Sequence, residues 1–181
     1  MASRLPMRRQ PSLGRQLDAG SRYIFPIGVL VFGLFLIGMP FGLPGQAALR
    51  PVYAMACVFF WSLYRPASLP APFVAAVGLL LDLMGLTPLG LWAVLLLLLQ
   101  GVTLLSRRRL AAQNFLTVWA VFCLLAAATC GLSWAAQSLL TLRLLPVAPL
   151  ALQMLFAVGF YPAFAAFFIR AHRGAAAVEL A

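Results

Sequence analysis

The sequence contains no lysine, one histidine and three carboxylates in 181 residues. Each scarcity excludes something. A soluble domain carries about a quarter of its residues charged; here the share is 9%. With His172 alone in the chain, and set between Arg170 and Arg173, neither a serine–histidine nor an HExxH arrangement can be built. No Walker A sequence is present, so the chain cannot energise transport by itself. Cys57, Cys123 and Cys130 all lie inside apolar runs with no metal-ligand spacing, which points to small packing residues and not to a zinc site or a disulfide framework. Neither a cofactor nor a catalytic residue is expected, and the chain reads as a non-enzyme.

What is present is apolar. Hydrophobic residues make up 64% of the chain, and the mean hydropathy is +1.02. Lipid suits such a surface; water does not. The net charge of +10 comes entirely from arginine. Nucleic-acid binders spread basic residues over a solvated face, whereas these arginines flank apolar runs, as membrane topology requires. Nucleic acid is therefore not an expected partner; membrane lipid is.

Residues 1–22 hold Arg4, Arg8, Arg9, Arg15 and Arg22 among Pro6, Pro11, Gly14 and Gly20, and read as a disordered basic tail drawn to anionic headgroups. Arg8-Arg9 raises a twin-arginine signal. However, Gln10-Pro11-Ser12 follows the pair and no A-x-A site follows the next run, so cleavage is not expected. Apolar runs then cover Ile24–Phe41, Ala47–Tyr64, Ala71–Leu105, Asn114–Leu140 and Pro149–Ile169. Ala47–Tyr64 is the weakest, because Arg50-Pro51 interrupts it. Ala71–Leu105 would extend about 52 Å as one helix, against a hydrocarbon core of about 30 Å. Gly85, Pro88 and Gly90 fall near its middle, so two short helices joined by a tight turn are expected.

Charge counting tests that choice. With six spans and the N-terminus inside, the five tail arginines, Arg65, Arg107 to Arg109, Arg170 and Arg173 lie on the cytoplasmic side, eleven in all; only Arg50 and Arg143 lie outside. Treating Ala71–Leu105 as one span, or denying a span to Ala47–Tyr64, divides them almost evenly. Only six spans satisfy the positive-inside rule. The expected fold is an all-α integral membrane protein of six transmembrane helices over residues 23–170, with a cytoplasmic C-terminal tail at 171–181. Tyr23, Trp61, Tyr64, Trp92, Trp119 and Trp134 are candidate interface anchors, although Trp92 and Trp134 lie deep enough in their runs for helix packing. Gly38 with Gly42, and Gly159 with Ala163, have the spacing that lets helices approach closely.

Asp82 is the one carboxylate in an apolar run, in Gly78-Leu79-Leu80-Leu81-Asp82. At a helix centre it would cost about 2.5–3.5 kcal/mol. It lies about three residues before the turn, near the outer interface, where the penalty is smaller. Its carboxylate can cap the hairpin by accepting from backbone N–H groups or Thr87; contact with a partner helix or a ligand is the alternative.

The ordered set Trp61-Ser62-Leu63-Tyr64-Arg65-Pro66, Gly78-x-x-x-Asp82 and Thr87-Pro88-Leu89-Gly90-Leu91 resembles the rod shape-determining MreD family. In that family an aromatic second helix ends in an Arg-Pro-like exit, a Gly-Leu-Leu-x-Asp motif lies on the third, and a Thr-Pro-Leu-Gly turn opens the fourth. The motif region covers about 30 of the 181 residues. The resemblance implies a non-enzymatic scaffold in the bacterial inner membrane, serving lateral cell-wall synthesis. MreC would be the nearest partner, with MreB, RodA and a class B penicillin-binding protein in the wider complex; a homo-oligomer is also compatible. Asp82, Gly78, Pro88, Leu89, Gly90, Trp61, Arg65 and Pro66 match its motifs. The family is similar in fold to the substrate-binding subunits of energy-coupling-factor vitamin transporters, which supplies the alternative function. Against that alternative, the polar residues in spans are few: Asp82, Gln100, Thr103, Thr129, Ser133, Gln137 and Gln153.

Overall fold

A computed structural model describes the backbone of residues 13–40, 42, 45–85 and 87–178, and the side chains of 26–40, 42, 45–85, 87–164 and 166. Arg8-Arg9, Glu179 and the rest of 1–12 and 179–181 lie outside the described residues. Among the described residues there are six α-helices and no strand: α1 (Leu13–Gly38), α2 (Gln46–Tyr64), α3 (Ala71–Gly85), α4 (Leu91–Leu110), α5 (Phe115–Thr141) and α6 (Ala148–Val178), with a 3-10 turn at Pro66–Ser68. The long apolar run is indeed broken: α3 ends at Gly85 and α4 begins at Leu91.

Two ends differ from expectation. Helix α1 begins at Leu13, so residues 13–22 are helical and not irregular, and α6 continues through residues 171–178. Gly14 and Gly20 each weaken a helix by only about 1 kcal/mol and do not forbid it, while Pro6 and Pro11 precede its start.

Among the described residues, three helices are long and apolar enough to cross a membrane: α2, α4 and α5. Shorter apolar helical stretches run over Pro26–Gly38, Ala71–Gly85 and Ala148–Phe164. At 15 residues, α3 extends only about 22 Å. The exposed side chains are largely aliphatic, including Leu83, Leu98, Leu105, Leu124 and Leu155, as befits a lipid-facing surface.

Helix α2, the weakest run in sequence, is the centre of the bundle. It is 78% buried over its apolar stretch, against 39% for α4 and 28% for α5. Residues 51–63 are buried without interruption. Trp61, named as an interface anchor, is 2% exposed and belongs to this core. Tyr161 of α6 stacks on Phe122 of α5 at 4.3 Å between centroids, and Phe59 of α2 meets Tyr161 edge-on at 5.7 Å. Three helices thus share one aromatic contact. Tyr53 of α2 lies over Gly33 of α1, and its hydroxyl donates to the Val29 carbonyl at 2.7 Å.

The small-residue pairs divide. A Cβ on Gly38 would lie 2.6 Å from Met84 Cε, the mobile end of a side chain of α3 that can move aside. A Cβ on Gly159 would meet nothing within 4 Å, and Ala163 is exposed; that pair closes no helix contact among the described residues.

Candidate functional site: the Asp82 hairpin

The chain leaves α3 at Gly85 and enters α4 at Leu91, so the start of α4 would expose N–H groups in an apolar setting. Asp82, one turn before the end of α3, supplies the acceptors. Oδ2 accepts from the Gly90 N–H at 2.8 Å, and Oδ1 from the Trp92 N–H at 3.1 Å and the Thr87 hydroxyl at 2.8 Å. The Asp82 carbonyl also accepts from the Thr87 N–H at 3.3 Å. Asp82 is 1% exposed. Three of a carboxylate's roughly four acceptor positions are therefore taken by the hairpin itself. This is the capping arrangement that the spacing predicts.

The rest of the motif follows from the same turn. Pro88 has no N–H to satisfy, and its carbonyl accepts from the Leu91 N–H at 3.2 Å. Gly90 has φ +95°, a backbone state that disfavours any side chain, but the space where its Cβ would lie is open. Leu89, at the tip, is 72% exposed. Gly78 differs from Gly90: an added Cβ would sit 2.3 Å from Ala93 Cα and 2.4 Å from its nitrogen. Gly78 is needed for space, Gly90 for its dihedral angle. Trp92 is 4% exposed and packs, as its depth in the run predicts.

Trp61, Arg65 and Pro66 are not brought to this site. They lie at the far end of α2, where the Trp61 carbonyl accepts from the Arg65 N–H at 2.8 Å and Pro66 opens the 3-10 turn. The eight motif residues thus fall into a five-residue group at the hairpin and a three-residue group at the opposite end.

Arg50 joins the hairpin end and was visible in the sequence only as a flanking charge. It projects from α2 and donates to the Met84 carbonyl at 3.1 Å and the Gly38 carbonyl at 3.4 Å. Both carbonyls belong to the last turns of helices, α3 and α1, where the helix dipole is negative. One guanidinium thus pins the ends of two helices to the start of a third. Gln46, one turn earlier, donates to the Ile37 carbonyl at 2.7 Å and also to that of Met39. The signal was the arginine's position inside an apolar run; its partners were not legible.

Several other polar groups are bonded within the chain, whereas buried Ser62 Oγ and Arg50 Nε have no hydrogen-bond partner among the described residues. Gln100 donates to the Leu69 carbonyl at 2.8 Å, Thr103 to Leu99, Thr129 to Leu125 and Gln137 to Ser133 Oγ. Among the described residues no three His, Cys, Asp or Glu side chains are grouped to hold a metal ion. Cys57 and Cys130 are buried, Cys123 half-buried, and all three are free thiols.

No protein-family model, curated protein or solved structure matches the chain.

Proposed function

We propose that this chain is a non-enzymatic membrane scaffold of the rod elongation complex, supporting lateral peptidoglycan synthesis and rod shape. It crosses the inner membrane six times with both termini cytoplasmic. The observation that carries this reading is the fate of Asp82: its oxygens are committed to Thr87, Gly90 and Trp92. A carboxylate spent on holding a hairpin serves shape and assembly. The ordered motif from Trp61 to Gly90 supplies the cell-wall context, and MreC is the partner it favours.

The topology is supported by contacts at each end. Arg50 places the end of α1, the start of α2 and the end of α3 together. Arg107 Nε donates to the Leu63 carbonyl at 3.2 Å, placing the ends of α2 and α4 together at the other side. In a cysteine-free background, single cysteines replacing exposed Leu89 and Leu144 should react with an impermeant maleimide added to intact cells. A cysteine replacing Arg108 should react only after permeabilisation. Labelling of the 108 position in intact cells would overturn the topology.

Depletion of the protein in its host should turn rods into rounded cells, with vitamin uptake unchanged and recovery of the MreC partner reduced. A vitamin-binding subunit would instead present polar side chains to a ligand, whereas Gln100, Thr103, Thr129 and Gln137 are turned to their own chain. Depleted cells that stay rod-shaped but require an external vitamin would establish the transporter function in its place.

A further inference from the structure

Helix α4 runs well past the start of α3. Gly78 of α3 lies against Ala93 of α4, and the tight turn between the two helices makes them antiparallel. Seven residues before Gly78, at Ala71, α3 therefore begins level with Gln100. A separate contact agrees: Gln100 Nε2 donates to the carbonyl of Leu69. From there α4 continues to Leu110, about 15 Å further. Helix α2 ends level with this overhang, since the Leu63 carbonyl is held by Arg107. After Arg65 the chain thus turns back into the bundle before α3 starts. Ser68 and Leu69, 6% and 1% exposed, are buried accordingly.

The turn-back leaves the stretch of α4 beyond Gln100 uncovered, with the start of α3 above it. Gln100, Leu104 and Arg108 form one stripe of α4 at four-residue spacing. Gln100 is covered, Leu104 is 40% exposed and Arg108 is exposed, because α3 covers only the first of them. The roof is Pro70, Ala71 and Pro72, all exposed. Two of these three have no N–H, and the N–H groups of Phe73 and Val74 both donate to the Pro70 carbonyl, at 3.0 and 3.3 Å. The roof therefore needs little water and tolerates a hydrocarbon chain. The rim is cationic: Arg65, Arg107, Arg108 and Arg109 are exposed. The only carboxylate among the described side chains, Asp82, is at the other end of α3.

We propose that this uncovered end of α4 holds one anionic phospholipid. Its phosphate lies on Arg65 and Arg108, which follow the Leu63–Arg107 contact by two residues and one. An acyl chain lies along Leu104 and the Pro70–Pro72 roof. Charge complementarity selects the headgroup, and the donor-poor start of α3 accepts the tail. The inference rests on the membrane placement proposed above and is independent of the role in cell shape.

Native mass spectrometry of the full chain in detergent tests it, with phosphatidylglycerol and phosphatidylcholine added separately. Phosphatidylglycerol should be retained preferentially. The double variant Arg65→Gln/Arg108→Gln should weaken that retention by on the order of tenfold or more. Leu104→Trp should weaken it too, by changing the apolar surface along which the acyl chain lies while keeping every charge. Arg143→Gln, an exposed charge on the α5–α6 loop, should change nothing. Undiminished retention in both the double variant and Leu104→Trp would overturn the site, and so would equal binding of phosphatidylcholine. An equal loss in Arg143→Gln would reduce the effect to net charge and also overturn it. Thermal unfolding is followed for each variant, and Leu104→Trp decides the matter if the double variant does not fold. A chain recovered without detergent would instead refute the membrane placement.

Discussion

Asp82→Leu should leave little folded protein in the membrane, while Asp82→Asn should fold with a reduced melting temperature. Leucine strips the acceptors from the Gly90 N–H, the Trp92 N–H and the Thr87 hydroxyl at once. Each buried donor without a partner costs about 1–3 kcal/mol. Only the Trp92 bond is fully buried, the other two being part-buried, and an unfolded chain in lipid finds alternative partners too, so the total is at most about 3 kcal/mol. That is a large part of a typical stability of about 5–15 kcal/mol. Asparagine keeps a carbonyl oxygen for Thr87 and Trp92 but turns an amide donor toward the Gly90 N–H, a loss of about 1 kcal/mol or somewhat more. Membrane protein level and melting in detergent measure both. Wild-type values for Asp82→Leu would remove the hairpin lock. Loss of function in Asp82→Asn, at normal level and normal partner recovery, would assign the carboxylate a charge-dependent role.

Gly78→Leu should be at least as damaging. The atoms an added Cβ meets are Ala93 Cα, Ala93 N and the Trp92 carbonyl carbon, at 2.3, 2.4 and 2.7 Å. All are backbone, so no rotamer change relieves them; α3 and α4 must separate. Overpacking of an ordinary core costs about 1–3 kcal/mol, and a contact confined to backbone belongs at or above the top of that range. Separation also pulls Trp92 N away from Asp82. Even Gly78→Ala should lower the melting temperature. Gly101 is the internal control: its Cβ position is open, and Gly101→Ala should be neutral or stabilising by up to about 1 kcal/mol through helix propensity. If Gly78→Ala and Gly101→Ala melt alike, the close approach of α3 and α4 is not a stability determinant.

The legible and illegible parts of this fold separate along a physical line. Pro88, Gly85 and Gly90 act within a few residues of themselves, so the break in the long run could be predicted from local chemistry. Asp82 caps partners five to ten residues away, still within one turn of chain. Arg50 finds Met84 at a separation of 34 residues and Gln100 finds Leu69 at 31, and no local pattern specifies either. Hydropathy ranks α2 lowest of the three long apolar helices and does not foresee its burial, for a related reason. It measures how well a segment suits lipid, whereas α2 is surrounded by protein, which tolerates an arginine when carbonyls are aimed at it. Gly159 and Ala163 show the converse: a spacing that permits close helix approach does not require it. The overhang of α4 needed two long-range contacts to be seen, and the reach of α1 and α6 into residues 13–22 and 171–178 needed the coordinates as well.

The placement of Arg50 also sets an order of events during synthesis. Its nearer partner, the Gly38 carbonyl, precedes it in the chain, but the Met84 carbonyl follows 34 residues later. At about 5–20 residues per second, translation takes roughly 2–7 s to supply it. Until then the guanidinium in α2 has only one of its two helix ends, on the least lipid-compatible of the three long apolar segments. On the six-span placement proposed above, stable insertion of α2 is therefore coupled to the emergence of α3. On that placement the first three helices leave the insertion machinery as a unit, and a nascent chain stalled with α2 outside the ribosome and α3 still inside it should have a second segment still extractable from the bilayer.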